Sequence, residues 1–294
     1  MVALVCAGLL AGCARSAASE GASPRPAAAP APAPLLLPGG GTQVFPKFRV
    51  VAYYGTAGGP GMGVLGSQPP DQIADRLSQA AAAFATPGRP VQPAMELIAT
   101  IADRAPGPDG SYSHSINPAV AWDYLKAARA HRQLLILDLQ PGYRDFLAQA
   151  REWEPLLAQP DVSLALDPEW RMSAGGVPGM QIGQVSAAEV NTVSAWLSGL
   201  VRTHHLPQKL FVLHEFTPDM ITDIAAVAAH AELADVQQLD GFGSSAVKIA
   251  KYRDLGRPQQ FHLGFKLFYT DDIGLLPPPA VLGLAPPPDY VSYQ

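Results

Sequence analysis

The chain has 294 residues, of which 48% are hydrophobic and 15% are charged, and its formal net charge is −5. The length and the apolar content suffice for a large hydrophobic core. Lys and Arg are nowhere clustered, which argues against a nucleic-acid-binding protein, and no apolar run reaches the roughly 18 residues of a membrane-spanning helix.

The N-terminal segment is apolar and ends in a short motif. Residues 1–13 read MVALVCAGLLAGC, and the last four, from Leu10 to Cys13, resemble the lipobox of bacterial lipoproteins. That resemblance implies cleavage before Cys13, a thioether-linked lipid on its sulfur, and an exported protein anchored in the cell membrane and facing outward. The alternative, a buried N-terminal strand, is disfavoured because nothing in the following residues could pack against it.

Residues 14–46 are predicted to be a disordered linker. Six prolines lie among alanines at residues 24–38, and three glycines follow at 39–41, a composition typical of extended chain without a core. The cysteines are Cys6 and Cys13, so the mature domain would contain no disulfide and no Cys-ligated metal site. We expect a tether that holds the remaining residues, 47–294, away from the membrane.

From residue 47 onward, short apolar runs alternate with longer helical stretches. The runs predict eight strands, at Phe48–Tyr54, Met95–Ile101, Gln133–Leu139, Val162–Asp167, Lys209–Glu215, Val236–Asp240, Phe261–Phe268 and Asp289–Tyr293. Helices are predicted between them near residues 70–85, 118–131, 143–158, 186–204, 218–231 and 244–254. This rhythm predicts a single α/β domain, a (β/α)8 TIM-like barrel over residues 47–294. A doubly wound open sheet is the alternative.

The glycine-rich segment after the first strand, residues 55–66, bears on that alternative. A phosphate-binding loop would suit an open sheet, but the spacing differs from the dinucleotide motif G-x-G-x-x-G. Pro60 also lacks the amide hydrogen that a phosphate would need. We interpret the segment as a loop beside a pocket and expect no cofactor.

Alternation along the strands predicts which side chains point into the barrel. On the fourth strand Leu164 and Leu166 share one side, which leaves Asp167 and Glu169 on the other. The same alternation directs further polar side chains inward at the carboxyl ends of strands: Asp138, Gln140, Asp240 and Lys266. Active sites of (β/α)8 barrels form at this end, and unpaired buried charges are costly, so we predict an acidic functional pocket. For the fifth strand, alternation does not decide whether His214 or Glu215 faces inward.

The sequence Asp167-Pro168-Glu169 at the end of a fourth strand resembles the D-x-E element of glycoside hydrolase barrels of the chitinase and muramidase type. That resemblance implies a glycosidase with Glu169 as general acid and Asp167 as its supporting residue. Asp240 or Asp138 would be the nucleophile, the base or the stabiliser of the oxocarbenium ion.

The resemblance covers one strand end and the architecture. The longer chitinase pattern D-x-x-D-x-D-x-E is incomplete, because Val162 and Ala165 occupy its earlier acidic positions.

Aromatic and polar residues near the strand ends are candidates for sugar binding. They are Tyr53, Tyr54, Gln140, Trp170, Glu215, Lys266 and Tyr269. We therefore hypothesise a monomeric enzyme that hydrolyses a cell-envelope or extracellular polysaccharide. Two alternatives are a non-catalytic barrel that binds a glycan or a protein, and a metal-dependent hydrolase using Asp138, His214, Asp240 or His262. The second is disfavoured because no H-x-x-x-H or H-x-x-E-H spacing occurs, and no metal is expected.

Overall fold

The computed structural model describes residues 1–5, 7–8, 12–13, 34–59 and 62–294. The chain divides into two units, Met1–Ala33 and Pro34–Gln294. Cys6, the first two residues of the predicted lipobox (Leu10 and Ala11), residues 14–33 of the predicted linker, and Pro60 lie outside the described residues. Across the described ranges, no helix combines the length and the apolar character needed to cross a membrane.

Eight parallel strands form a closed barrel. In chain order they are β1 (Arg49–Gly55), β2 (Val91–Ala102), β3 (Leu134–Leu139), β4 (Val162–Leu166), β5 (Lys209–Glu215), β6 (Leu233–Leu239), β7 (His262–Leu267) and β8 (Tyr290–Tyr293). Each strand pairs with the next, and β1 pairs with both β2 and β8. The predicted (β/α)8 barrel is therefore confirmed, and the open-sheet alternative is wrong.

Helices lie between most of the strands. They are α1 (Pro70–Ala82), α2 (Pro118–Ala130), α3 (Phe146–Glu152), α4 (Glu154–Leu157), α5 (Ala187–His204), α6 (Ser245–Leu255) and α7 (Pro278–Leu282). The smaller elements are 3-10 turns at Leu65–Ser67, Pro168–Trp170 and Ile224–Ala226, and short strands at Ser113–Ser115, Val185–Ser186 and Ile221–Thr222. Side chains of Asn117, Asp145, Ser186 and Ser244 accept hydrogen bonds from the first turns of α2, α3, α5 and α6, which fixes where these helices begin.

Two predicted helices differ from the observed structure. The helix predicted at 143–158 is divided into α3 and α4, because Pro155 has no N–H to continue the hydrogen-bond ladder. The helix predicted at 218–231 is replaced by a short strand and a 3-10 turn. Asp223 adopts a left-handed φ of 55°, which interrupts a helix at that residue. The side chain of Asn191 bonds the Ala226 carbonyl and the Ala228 amide and so replaces helical partners.

The N-terminal end of the barrel is closed by residues 37–48, which precede β1. Leu37, Val44, Phe45 and Phe48 are buried together with inward side chains of the strands. The compact unit therefore begins at Pro34 and not at residue 47, so the predicted linker extends too far toward the C-terminus. Counting prolines and glycines missed this because Leu37, Val44 and Phe45 are separated by residues typical of linkers.

Adjacent leucines in this segment provide a test of that packing. Leu37 is 3% exposed within the apolar cluster, whereas Leu36 is 52% exposed. We expect Leu37→Ala to lower the free energy of unfolding by about 2–5 kcal/mol, because it leaves a cavity. Leu36→Ala should change it by less than about 0.5 kcal/mol. Urea denaturation measures both, and equal effects would contradict the role of the segment in closing the barrel.

Candidate active site at the carboxyl end of the barrel

The barrel interior has an apolar layer and a polar layer. Toward the N-terminal end the inward side chains are small or aliphatic: Val50, Ala52, Ala94, Leu134, Ile136, Ala165, Leu210, Val212, Ala234 and Val236. The next inward residues toward the carboxyl ends are polar, and they are Tyr54, Glu96, Asp138, Asp167, His214, Gln238, Asp240 and Lys266. Outward leucines of β3 and β4 pack in the other cluster, beneath the helices. The predicted alternation is thereby confirmed for these strands.

His214 bridges two carboxylates across the barrel interior. Its Nε2 lies 2.9 Å from Glu96 Oε1 on β2, and its Nδ1 lies 2.8 Å from Asp240 Oδ2. Tyr290 on β8 donates a second hydrogen bond to Glu96, at 2.7 Å to Oε2. Burial alone would lower the pKa of His214, but Asp240 and Glu96 outweigh that effect and raise it well above its usual value. The ring is therefore an imidazolium that donates from both nitrogens.

Lys266 provides a second buried cation beside Asp240. Its Nζ lies 3.1 Å from Asp240 Oδ2 and 3.7 Å from the centroid of the Tyr54 ring, a cation–π contact. Burial by itself raises the pKa of Asp240, but Lys266 and His214 outweigh it, so the net pKa lies below the usual value. Asp240 therefore remains an anion, and its Oδ1 accepts no hydrogen bond from any described residue.

Asp167 is held by donors on two sides. The Tyr54 hydroxyl donates to its Oδ2 at 3.3 Å and the indole Nε1 of Trp170 donates to the same oxygen at 3.0 Å. Gln140 in turn donates to the Tyr54 hydroxyl at 3.3 Å. Burial raises the pKa of Asp167, partly opposed by His214 and Lys266. This network holds the carboxyl group immediately beside the turn that carries Glu169.

Glu169 lies in the 3-10 turn at Pro168–Trp170, where the chain leaves β4. Burial, followed by the negative charge of Asp167, raises the pKa of Glu169 to about 8. The turn is anchored because the Gly183 amide bonds the Glu169 carbonyl at 2.6 Å. Arg171 next to the turn bonds Glu189 of α5 at 3.0 Å. Glu169 is thus a protonated carboxylic acid at neutral pH on a supported segment.

A cavity of about 390 Å³ opens above this polar layer. Carboxyl groups of Glu169 and Asp240 and the ammonium of Lys266 line it together with aromatic side chains. Those aromatic residues are Trp170, Phe216, Phe242 and Phe268. A larger cavity of about 600 Å³ lies at the opposite end of the barrel, but neither Glu169 nor Asp240 lines it. The smaller cavity is therefore the candidate active site.

Most predicted site residues meet here, but Asp138 differs from the others. Asp138 is fully buried and neither of its oxygens has a hydrogen-bond partner among the described residues. Burial and the nearby Asp167 raise its pKa well above the usual value, so it keeps its proton more strongly than an ordinary carboxyl group. Asp240 is therefore the candidate for the ionised carboxylate that acts together with Glu169, and the prediction of that role for Asp138 is corrected.

Three predicted sugar-binding residues lie away from the cavity. Tyr53 points toward the helices, and its hydroxyl lies 3.3 Å from that of Tyr269, whose ring stacks on Tyr293. Glu215 also faces outward and accepts a hydrogen bond from Gln237 Nε2 at 2.5 Å. The structure thus corrects the expectation that Tyr53, Glu215 and Tyr269 are available to bind a sugar in the cavity, because each lies on the opposite side of its strand or beyond its end.

Sequence reasoning gave no catalytic or binding role to Glu96, and it considered His214 only as a metal ligand. Between Lys209 and His214 both alternating sets of β5 are apolar, so alternation does not show which set faces inward. The pairing across the barrel, which joins β2 and β6 through His214, has no signature in the chain. Within residues 34–59 and 62–294, together with the short described N-terminal stretches, no group of three or more His, Cys, Asp or Glu could hold a metal ion.

Comparisons with known proteins add little beyond the architecture. No family model matches the chain, and no curated protein matches it. Solved structures similar to it include a GH18 chitinase from Pseudoalteromonas aurantia, with 9% identity, a TM-score of 0.42, and coverage of 83% of this chain and 93% of that chain. Another is Burkholderia cenocepacia dihydropteroate synthase complexed with 7,8-dihydropteroate, with 13% identity, a TM-score of 0.34, and coverage of 85% and 86%. At these scores neither likeness supports an argument about function, and the barrel rests on its own strand pairing.

The bridge formed by His214 generates a stability prediction. We expect His214→Gln to lower the free energy of unfolding by about 3–5 kcal/mol, because an amide cannot neutralise the two buried carboxylates. His114 is paired with Asp103 but is exposed, so His114→Gln should cost less than about 1 kcal/mol. Chemical denaturation of both variants at pH 7 measures the difference, and a small effect at His214 would show that the bridge is not needed for folding.

Proposed function

We propose that the protein is a glycoside hydrolase whose general acid is Glu169. One observation carries the proposal: two carboxyl groups line the same cavity, and their surroundings shift their pKa values in opposite directions. The pKa of Glu169 is raised to about 8 by burial and Asp167, whereas that of Asp240 is lowered by Lys266 and His214 against the effect of burial. Glycosidic cleavage requires this combination, a proton donor at the leaving oxygen and an ionised carboxylate near the anomeric carbon.

The geometry suggests a division of roles. Glu169 donates its proton to the glycosidic oxygen as the bond to the anomeric carbon breaks. Asp240 presents an oxygen without a hydrogen-bond donor among the described residues, and its negative charge stabilises the oxocarbenium-like transition state or assists the incoming nucleophile. Asp167, held by Tyr54 and Trp170, supports Glu169 and keeps its pKa high through negative charge.

Aromatic side chains around the cavity suit a carbohydrate. Phe242 is 67% exposed at the rim, and Trp170 and Phe216 are half-buried in the wall. Sugar rings present apolar C–H faces that stack on aromatic rings, and exposed aromatic side chains beside a polar pocket are otherwise unfavourable. We propose a polysaccharide or oligosaccharide of the cell envelope or the surroundings as substrate.

Replacing the proposed acid tests this assignment. We expect Glu169→Gln to lower kcat at least 10²-fold on any glycan that the protein cleaves, measured as release of reducing ends. Glu215→Gln is the matched control, since Glu215 is buried but faces away from the cavity.

The pH dependence of kcat provides a second test. In the wild type, kcat should fall above about pH 8, where Glu169 loses its proton, and the pH profile of the Glu169→Gln variant should lack this decrease. Full activity of Glu169→Gln would exclude the mechanism, and glycan binding without hydrolysis by the wild type would favour a binding protein.

We further propose that a lipid on Cys13 anchors the protein outside the cell. The support is the sequence Leu10 to Cys13 and the exposed, unpaired thiol of Cys13. A lipid there would join the barrel to a membrane through the proline-rich residues that follow.

The cysteine pair offers a matched test of this anchor. In a bacterial host that lipidates exported proteins, the wild type and Cys6→Ser should enter the detergent phase on phase partitioning, and Cys13→Ser should remain in the aqueous phase. Mass spectrometry of the N-terminal peptide should show the lipid on Cys13. An unmodified Cys13 in the mature protein would contradict the proposal.

A further inference from the structure

We propose that the glycan bound in the cavity carries an anionic substituent, a carboxylate or a phosphate ester, and that Lys251 binds it. The inference rests on the proposed function and adds the substrate class. Its basis is an ammonium group in the cavity wall that forms no ion pair or hydrogen bond with any residue that the structure describes.

Two lysines one turn apart on α6 differ in their surroundings. Lys248 Nζ bonds both carboxylate oxygens of Asp272 at 2.6 Å. Lys251 has no ion pair and no hydrogen bond to any other described residue, and its Nζ lies 5.3 Å from the centroid of the Phe216 ring. The helix thus uses one lysine to hold a loop and directs the other to the cavity, which Lys251 lines.

Gly241 explains how Lys251 reaches this position. A Cβ at residue 241 would lie 2.7 Å from Lys251 Nζ, and the φ of Gly241 is +100°, which side chains rarely adopt. The glycine therefore lets the ammonium group lie against the backbone directly after Asp240. An anion bound there would be adjacent to the carboxylate proposed to act at the anomeric carbon.

Three carboxyl groups line the cavity together with Lys251, those of Glu169, Asp240 and Asp271, and none of them forms an ion pair with it. Asp240 Oδ2 is shared by His214 and Lys266. Asp271 also lines the cavity, but it is exposed and accepts a hydrogen bond from Thr270 at 2.8 Å. Burial lowers the pKa of Lys251 and the charge of Asp240 only partly opposes this, as expected for an ammonium group that loses water without gaining a close partner. An anion from the substrate would supply that partner.

The residue type limits what the anion is. A lysine ammonium is a compact point charge without the planar fork of arginine, so it accepts a carboxylate or a phosphate without a bidentate geometry. Both are common substituents of acidic polysaccharides. Lys266 does not compete for the anion, because Asp240 already neutralises it.

The test compares substrates that differ only in charge. Uronic-acid oligosaccharides are paired with their carboxyl-reduced forms, and phosphorylated oligosaccharides with their dephosphorylated forms. We expect wild type to prefer the charged member of one pair, and Lys251→Met to lower the ratio of kcat/KM for charged over neutral substrate by about 10- to 100-fold. Lys126→Met, an exposed lysine on α2, is the control for net charge and should keep the wild-type ratio.

The outcomes separate this inference from the proposed function. Hydrolysis with an unchanged ratio in Lys251→Met would overturn the role of Lys251 while leaving the glycosidase assignment intact. If Lys251→Met lowers kcat/KM equally for the charged and the neutral member of a pair, Lys251 acts through Asp240, and its role in binding an anion is also overturned. If no oligosaccharide is hydrolysed, the glycosidase assignment fails, and calorimetry on Glu169→Gln with and without Lys251→Met decides the inference. Charge-dependent binding that Lys251→Met removes would support it, and its absence would refute it. Thermal unfolding checks that each variant is folded.

Discussion

The two hydrogen bonds of His214 organise the carboxyl end of the barrel. They join Glu96 on β2 to Asp240 after β6 through one positive charge. Without that charge, two carboxylates would face each other in an interior from which water is excluded, and each unpaired one costs several kcal/mol. Closure of the sheet brings β2 and β6 to opposite sides of this histidine. The bridge is therefore both a consequence of the barrel and a condition for its polar interior.

Charge separation in the proposed active site follows from that arrangement. Lys266 and His214 both contact Asp240 and keep it ionised despite burial. Glu169 lies beyond their hydrogen-bonding reach, so burial and Asp167 dominate and its proton is retained. Two carboxyl groups of similar intrinsic acidity thereby differ in protonation at neutral pH. The difference arises from the distances to two cations and needs no metal ion.

The fold could be predicted because its signals are local. Apolar runs and helix-start residues located all eight strands, and alternation assigned Asp167, Asp240 and Lys266 to the interior. The predictions failed where a local pattern had two solutions. Leu210 to Leu213 are apolar on both sides of β5, so His214 could not be distinguished from Glu215 as the inward residue. Linker composition likewise concealed Leu37 and Phe45, which pack under the barrel.

The sequence by itself determined the strand rhythm, the inward alternation of β3, β4, β6 and β7, and the placement of two carboxyl groups on one side of the chain after β4. These features follow from the two-residue period of a strand, which is visible in the sequence. Only the tertiary structure decided which carboxylate is ionised, because that depends on residues more than a hundred positions apart, such as Glu96 and His214. It also decided that Lys248 pairs with Asp272, whereas Lys251 has no such partner among the described residues. Electrostatic energies depend on the distance between two charges in space, and that distance cannot be read from their separation along the chain.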